Sequence, residues 1–183
     1  MSRLSKKRFL AIVEPELRAL RRTAYRLCRD PVDADDLVQR VCLRAFERAE
    51  DLKGVASPRA WLLRVQHNLF VDDCRRRSGI SLEAFDDASD AAISTVWPDP
   101  DTAAATTERI EALDRAWPEL TADQRALLAL YAEGHDLKTL AGITDLPLSA
   151  LKARLHRARV RLGKLLAAAD TAPRQAIQTG DRR

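Results

Sequence analysis

The chain has 183 residues, 46% apolar and 32% charged, a balance that excludes disorder throughout and fits one ordinary domain or two small ones. Its formal charge of +4 is unevenly spread: residues 1–80 carry 18 Lys/Arg against 11 Asp/Glu, and residues 81–107 carry none against 6. Such a local basic excess is how a nucleic-acid surface looks. No apolar run approaches the roughly 20 residues that cross a bilayer, and the N-terminal stretch lacks the apolar core of a secretion signal. A cytoplasmic protein without membrane insertion is expected. Cys28, Cys42 and Cys74 have neither disulfide-framework nor zinc spacing, and the three histidines show no ligand spacing with them. Buried free thiols and no metal site follow.

In chain order, Phe9, Ile12, Val13, Leu17, Leu20, Ala24 and Leu27 form a helical stripe ending near Asp30-Pro31. A second helix is predicted from Asp33, with Asp33 and Asp36 at its cap and first turn and Leu37, Val38, Val41, Ala45 and Ala49 on its apolar face. Lys53-Gly54 breaks it. Ser57-Pro58, a cap residue followed by proline at the first helical position, opens a third helix through Trp61, Leu62, Val65 and Leu69 to Arg75-Arg76-Arg77. Trp61 shares a stripe with Val65 and Leu69, which makes it core rather than a stacking platform.

Periodicity fails from Ser78 to Thr107, where Gly79, Pro98, Pro100 and scattered acids predict a mobile linker. Helix returns at Thr107, breaks at Pro118 and restarts with the capping-box pattern Thr121 to Gln124. The stretch 136–166 then reads as a helix-turn-helix: a short helix 137–143 capped by Asp136, and a second with apolar residues at Leu148, Leu151, Leu155, Ala158, Leu162 and Leu165. At 100° per residue the direction opposite that stripe holds Ser149, Ala153, His156 and Val160, flanked by Lys152 and Arg157. An amphipathic helix with a solvated basic face is the competing account. Asp145 stands in the turn where glycine is common. The fold class is all-α: two small helical domains, 1–80 and 107–168, joined by a flexible acidic linker 81–106 and followed by a flexible tail 169–183. The linker's charge and lack of apolar periodicity predict two units without a packed interface.

The strings DADDLVQRVCLRAF, SPRAWLLRVQHNLFVDDCRRR and LTADQRALLALYAEGHDLKTLAGITDLPLSALKARLHRARVRL, in this order and spacing, resemble regions two and four of bacterial extracytoplasmic-function (ECF) sigma factors, group 4 of the sigma-70 family. The resemblance implies a non-catalytic, cofactor-free initiation subunit that binds core RNA polymerase, recognises promoter DNA and promotes strand opening, in a stress or envelope response. It implies that Asp35, Asp36 and Gln39 meet the beta-prime coiled coil, that the chain also meets the beta flap, and that an anti-sigma factor acts as inhibitor. Arg40 stands where such proteins often carry Glu, and Asp33 is explained by capping alone.

The loop Leu52, Lys53, Gly54, Val55, Ala56, Ser57 resembles the segment that captures a flipped base of the minus-ten element, and Asn68 resembles a nearby pocket residue. An unstacked base needs small residues for close backbone approach and an amide that both donates and accepts. A plain interhelical turn remains the alternative. For the minus-thirty-five duplex the resemblance implies Lys152, Ala153, His156 and Arg157, the face that the helical wheel selects independently. Lys152 or Arg157 suits guanine in the major groove and Ser149 suits phosphate. Arg154, with Arg159 and Arg161, lies nearer the stripe edges, where phosphate contact or stem packing is expected. The acidic linker resembles a segment that threads a basic polymerase channel, with solubility and spacing as equal alternatives.

A one-component regulator would explain residues 107–168 but leaves DLVQ, RAWLLR and the arginine cluster without a role. An adaptor that mimics a sigma factor should lack the basic recognition helix present here. No paired carboxylates, Cys–His pair or phosphate loop supports an enzyme.

Overall fold

The computed structural model describes residues 6–78 and 107–171, which fold into helices and short turns with no strand among them. The expected linker 81–106 and the tail from 172 onward lie outside the described residues. Helix continues to Thr171, so residues 169–171, assigned to the tail by sequence, are helical.

The first unit opens with α1 (Lys6–Val13) and α2 (Leu17–Cys28), separated by a 3-10 turn at Glu14–Glu16. The single apolar stripe predicts one helix there; Pro15, which has no N–H and crowds the preceding turn, divides it. α3 spans Pro31–Glu47, and its cap is Asp30 rather than Asp33: the Asp30 carboxylate accepts from Val32 N at 2.8 Å and Asp33 N at 2.9 Å. Pro31 at the first helical position explains the shift, since its missing N–H is one that no helix start satisfies. A 3-10 turn (Ala49–Leu52) and Gly54, at φ +79°, lead into α4 (Pro58–Ser78), whose Ala60 N donates to Ser57 Oγ at 3.2 Å.

The second unit begins with α5 (Thr107–Ala116) and a 3-10 turn at Trp117–Glu119 built around Pro118. α6 (Ala122–Ala132) carries the full capping box, with Gln124 N donating to Thr121 Oγ1 and Thr121 N donating to Gln124 Oε1. α7 (Leu137–Thr144) is capped by Asp136, which accepts from Thr139 N at 2.7 Å. Asp145 ends α7 in the left-handed region at φ +59°, performing the role that glycine performs at many helix ends. α8 (Leu148–Thr171) buries Leu151, Leu155, Ala158 and Leu162, but Leu148 remains 44% exposed and drops out of the expected stripe.

The two units pack together, contrary to the expectation from the linker. α6 lies between α8 on one side and α2 and α4 on the other, while α7 lies on α4. Their buried side chains form one continuous cluster from Phe9 to Leu162. Trp117 spans the seam: its indole N–H donates to the Leu27 carbonyl at 3.1 Å, satisfying one of the acceptors that the end of α2 leaves open. The α6 run Ala126, Leu127, Leu128, Ala129, Leu130 is buried at every position. A helix apolar on all sides must be covered on all sides, and one small unit cannot do that. Each such leucine contributes roughly 1.5–3 kcal/mol when buried, which outweighs what a mobile acidic linker would gain by keeping the units apart.

Candidate nucleic-acid interface

The outward face of α8 has the composition expected of it. Ser149, Lys152, Ala153, His156 and Arg157 are all exposed, opposite the buried Leu151–Leu155–Ala158–Leu162 stripe, while Val160, expected in the same direction, is half-buried. The Arg159 guanidinium stacks 5.7 Å from the Tyr131 ring centroid, so its stem packs on α6 instead of facing a groove. Arg154 also departs from the outward face: half-buried, it lines a cavity of about 190 Å³ with His67, Asn68, Asp72, Asp123 and Leu146.

That cavity also separates two groups of residues that the sequence places in one base pocket. Lys53, Gly54, Ala56 and Ser57 are exposed and Val55 half-exposed, as a base-capturing loop requires, but Leu52 is 3% exposed and its side chain anchors the loop in the core. Asn68 sits ten residues beyond the start of α4, about 15 Å along the axis, and its cavity includes none of residues 52–57. Loop and amide are not brought together. Asn68 itself is exposed, at the rim of a cavity that α4 shares with α6, α7 and α8 of the second unit.

In the same cavity the His67 ring Nδ1 lies 3.2 Å from Asn68 Oδ1. Burial lowers the His67 pKa from its ordinary 6.5, against the opposing pull of the Asn68 contact and Asp123. A depressed folded-state value means that the unfolded chain takes up the proton first. His67 therefore contributes stability that is complete above about pH 6.5 and is lost as pH falls through the folded value. Urea midpoints should fall between about pH 7.5 and pH 5.5, and His67→Gln should flatten that slope; an unchanged slope would place the effect elsewhere. His135, also lowered by burial and by Arg59, leaves a residual slope in the variant.

On α3, Asp35, Asp36 and Gln39 are all exposed, and both acids are already engaged: Asp35 lies 3.9 Å from Arg21, and Asp36 2.9 Å from Arg40. Arg40 reaches on to Asp73 of α4 at 2.5 Å. Burial works to lower the Arg40 pKa, and the Asp73 and Asp36 carboxylates outweigh it, so the net shift is upward. Arg40 thus fastens α3 to α4. The sequence reading missed Val32, Leu43 and Phe46, which with Asp36 and Gln39 follow a 4-3-4-3 spacing along one side of α3. Leu43 is 59% and Phe46 50% exposed. Their signal was present as apolar residues out of phase with the buried Ala34, Leu37, Val41 and Ala45.

Cys28, Cys42 and Cys74 form no disulfide among the described residues and are half-buried rather than buried, and burial raises the pKa of each, Cys28 to about 11. No cluster with metal-binding composition occurs among the described residues, and no helix among them is long and apolar enough to cross a membrane.

Comparison with known proteins agrees with this layout unit by unit. The family model for Sigma-70 region 2 matches residues 12–80, and that for Sigma-70, region 4 matches residues 110–162. The ECF RNA polymerase sigma factor EcfG of Rhodopseudomonas palustris is 32% identical over 153 residues, covering 83% of this chain and 80% of that protein. The ECF RNA polymerase sigma factor SigL of Mycobacterium tuberculosis is 30% identical over 150 residues, covering 81% and 82%. The sigma factor RpoE of Bartonella quintana, solved in complex with the anti-sigma factor NepR, superposes with a TM-score of 0.61 at 27% identity, over 88% of this chain and 98% of that one. With residues 12–80 matching region 2, residues 110–162 matching region 4, and relatives aligned across both, the chain belongs to the ECF RNA polymerase sigma factors.

Proposed function

We propose that this sigma factor divides its work between the two units as follows. It is a non-enzymatic initiation factor that recognises promoters with RNA polymerase. The outward face of α8, carrying Lys152, Ala153, His156 and Arg157, reads the minus-thirty-five duplex, with Ser149 and the helix N-terminus on phosphate. The exposed loop 53–57 takes a base of the melted minus-ten strand, with Leu52 as its buried anchor, and Asn68, exposed about 15 Å farther along α4, meets the strand at a separate position. The α3 stripe of Asp35, Asp36 and Gln39, extended by Leu43 and Phe46, docks on the beta-prime coiled coil, and the second unit on the beta flap. The domain limits in this reading are 1–80 and 107–168, and the matched segments 12–80 and 110–162 fall inside them. An anti-sigma factor as inhibitor is supported by the Bartonella relative, which was solved with one. A cytoplasmic site of action accords with binding to RNA polymerase.

The observation that carries this reading is the exposed α8 face, which the helical wheel and the fold select alike. Run-off transcription with core polymerase on a random promoter library tests it, and two enriched elements at the spacing of two sigma regions are expected. Arg157→Ala should weaken recognition of the upstream element by about 1–3 kcal/mol, the worth of a bidentate base contact. Unchanged selectivity in the variant would remove α8 from the recognition role.

A further inference from the structure

Cys28, the last residue of α2, and Cys74 on α4 are far apart in the chain, yet both line one cavity of about 330 Å³, with Asp33, Phe70 and Arg77 of the first unit and Arg125 of α6. Cys42 is not among its lining residues. Arg125 Nη2 donates to Cys74 Sγ at 3.4 Å, and its guanidinium stacks 5.3 Å from the Phe70 ring centroid, which fixes it beside the sulfur. Burial, then Asp33 and the Cys74 sulfur, raise the Cys28 pKa, while Arg77 and Arg125 work against them. On Cys74 burial raises the value and the same two arginines oppose it. The two thiols therefore lie within range of each other's charge, and each has two guanidinium groups acting on it.

Two thiolates are a complete donor set for only one class of cation. Zinc, calcium and magnesium take four or more donors, and no group of three or more His, Cys, Asp or Glu able to hold such an ion occurs among the described residues. A soft, closed-shell monovalent cation is satisfied by two sulfurs in a line. We propose that Cys28 and Cys74 form a two-coordinate site for a cation of the copper(I) class, a function separate from promoter reading. Binding exchanges protons for the ion: two neutral thiols and one M⁺ give an S–M–S unit of charge −1 and release two protons to solvent. Arg77 and Arg125 offset that negative charge, as cations do for thiolates elsewhere. Spacing along the chain hides the pair, because its donors come from separate helices.

The test uses the full chain, reduced and under argon, with copper(I) supplied from a colorimetric chelator. One ion per chain is expected, with two sulfur neighbours in its X-ray absorption spectrum. Cys28→Ser or Cys74→Ser removes the second, intramolecular ligand and should weaken binding by about 100-fold or more, whereas Cys42→Ser should leave it unchanged. Unaltered affinity in either of the first two variants, or a loss in the third, overturns the proposal. One ion per two chains also overturns it, since the thiols would then bridge separate copies. Zinc should bind far more weakly, and a zinc affinity equal to that for copper(I) overturns the two-coordinate assignment. A second measurement needs no substitution: copper(I) should protect Cys28 and Cys74, but not Cys42, from alkylation by iodoacetamide, read peptide by peptide by mass spectrometry. Protection of all three alike, or of none, overturns the site. Promoter selectivity in the run-off library is read separately, so failure of the metal site and failure of the promoter reading give different results.

Discussion

Replacing Trp117 by alanine is expected to lower the unfolding free energy by about 4 kcal/mol, the largest effect of any single substitution considered for this chain. The ring is buried in the seam and its N–H is bonded to Leu27 O. A buried indole removes on the order of 200 Å² from water, worth about 5 kcal/mol at 25 cal/mol per Å². Truncation also strands the carbonyl at the end of α2, unless the units part and admit water. Parting gives the second signature: urea unfolding of the variant should split into two transitions as the shared core divides into two smaller ones. Trp117→Phe keeps most of the ring and loses only the hydrogen bond, so about 1 kcal/mol and one transition are expected. Equal, small effects from both substitutions would show that the seam does not depend on this residue.

Leu151→Ala should cost about 3 kcal/mol, in the range of buried leucine truncations. Leu151 is fully buried where α8 crosses α7, so the cavity opens at the joint of the helix-turn-helix. Recognition of the upstream duplex should be lost with it, although the side chain faces away from the exposed surface. Arg157→Ala is the complement, with weakened recognition and an unchanged urea midpoint. Should Leu151→Ala retain full stability, the packing of α8 on α7 would not be what holds the reading face in place.

The helix starts were legible because each is encoded by a few adjacent residues: Ser57-Pro58, Thr121 with Gln124, and Asp136 all cap as their chemistry requires. Where two local signals competed, the sequence misled. Asp33 resembles a cap, but Pro31 moves the start back to Asp30, and Pro15 interrupts a stripe whose apolar period runs through it unbroken. The seam was missed for a different reason. The expectation of two separate units took no account of Ala126 to Leu130, where five consecutive buried residues exceed what one face of α6 can present. Asn68 was assigned to the minus-ten pocket by resemblance, but α4 continues unbroken from Pro58 and carries Asn68 away from the loop to the rim of an inter-unit cavity. The α8 face needed only periodicity and charge, which is why wheel and fold agree there.

The bond that closes the seam has an asymmetry with evolutionary weight. Trp117 contributes a side chain, but Leu27 contributes its main-chain oxygen, which every residue type at that position would offer. Change in α2 can therefore proceed without erasing the acceptor, while the donor on the second unit depends on a single indole. Two halves diverging at different rates would keep this bond as long as the tryptophan persists, and a second unit grafted from a relative would bring its half of the joint only where it carries that tryptophan.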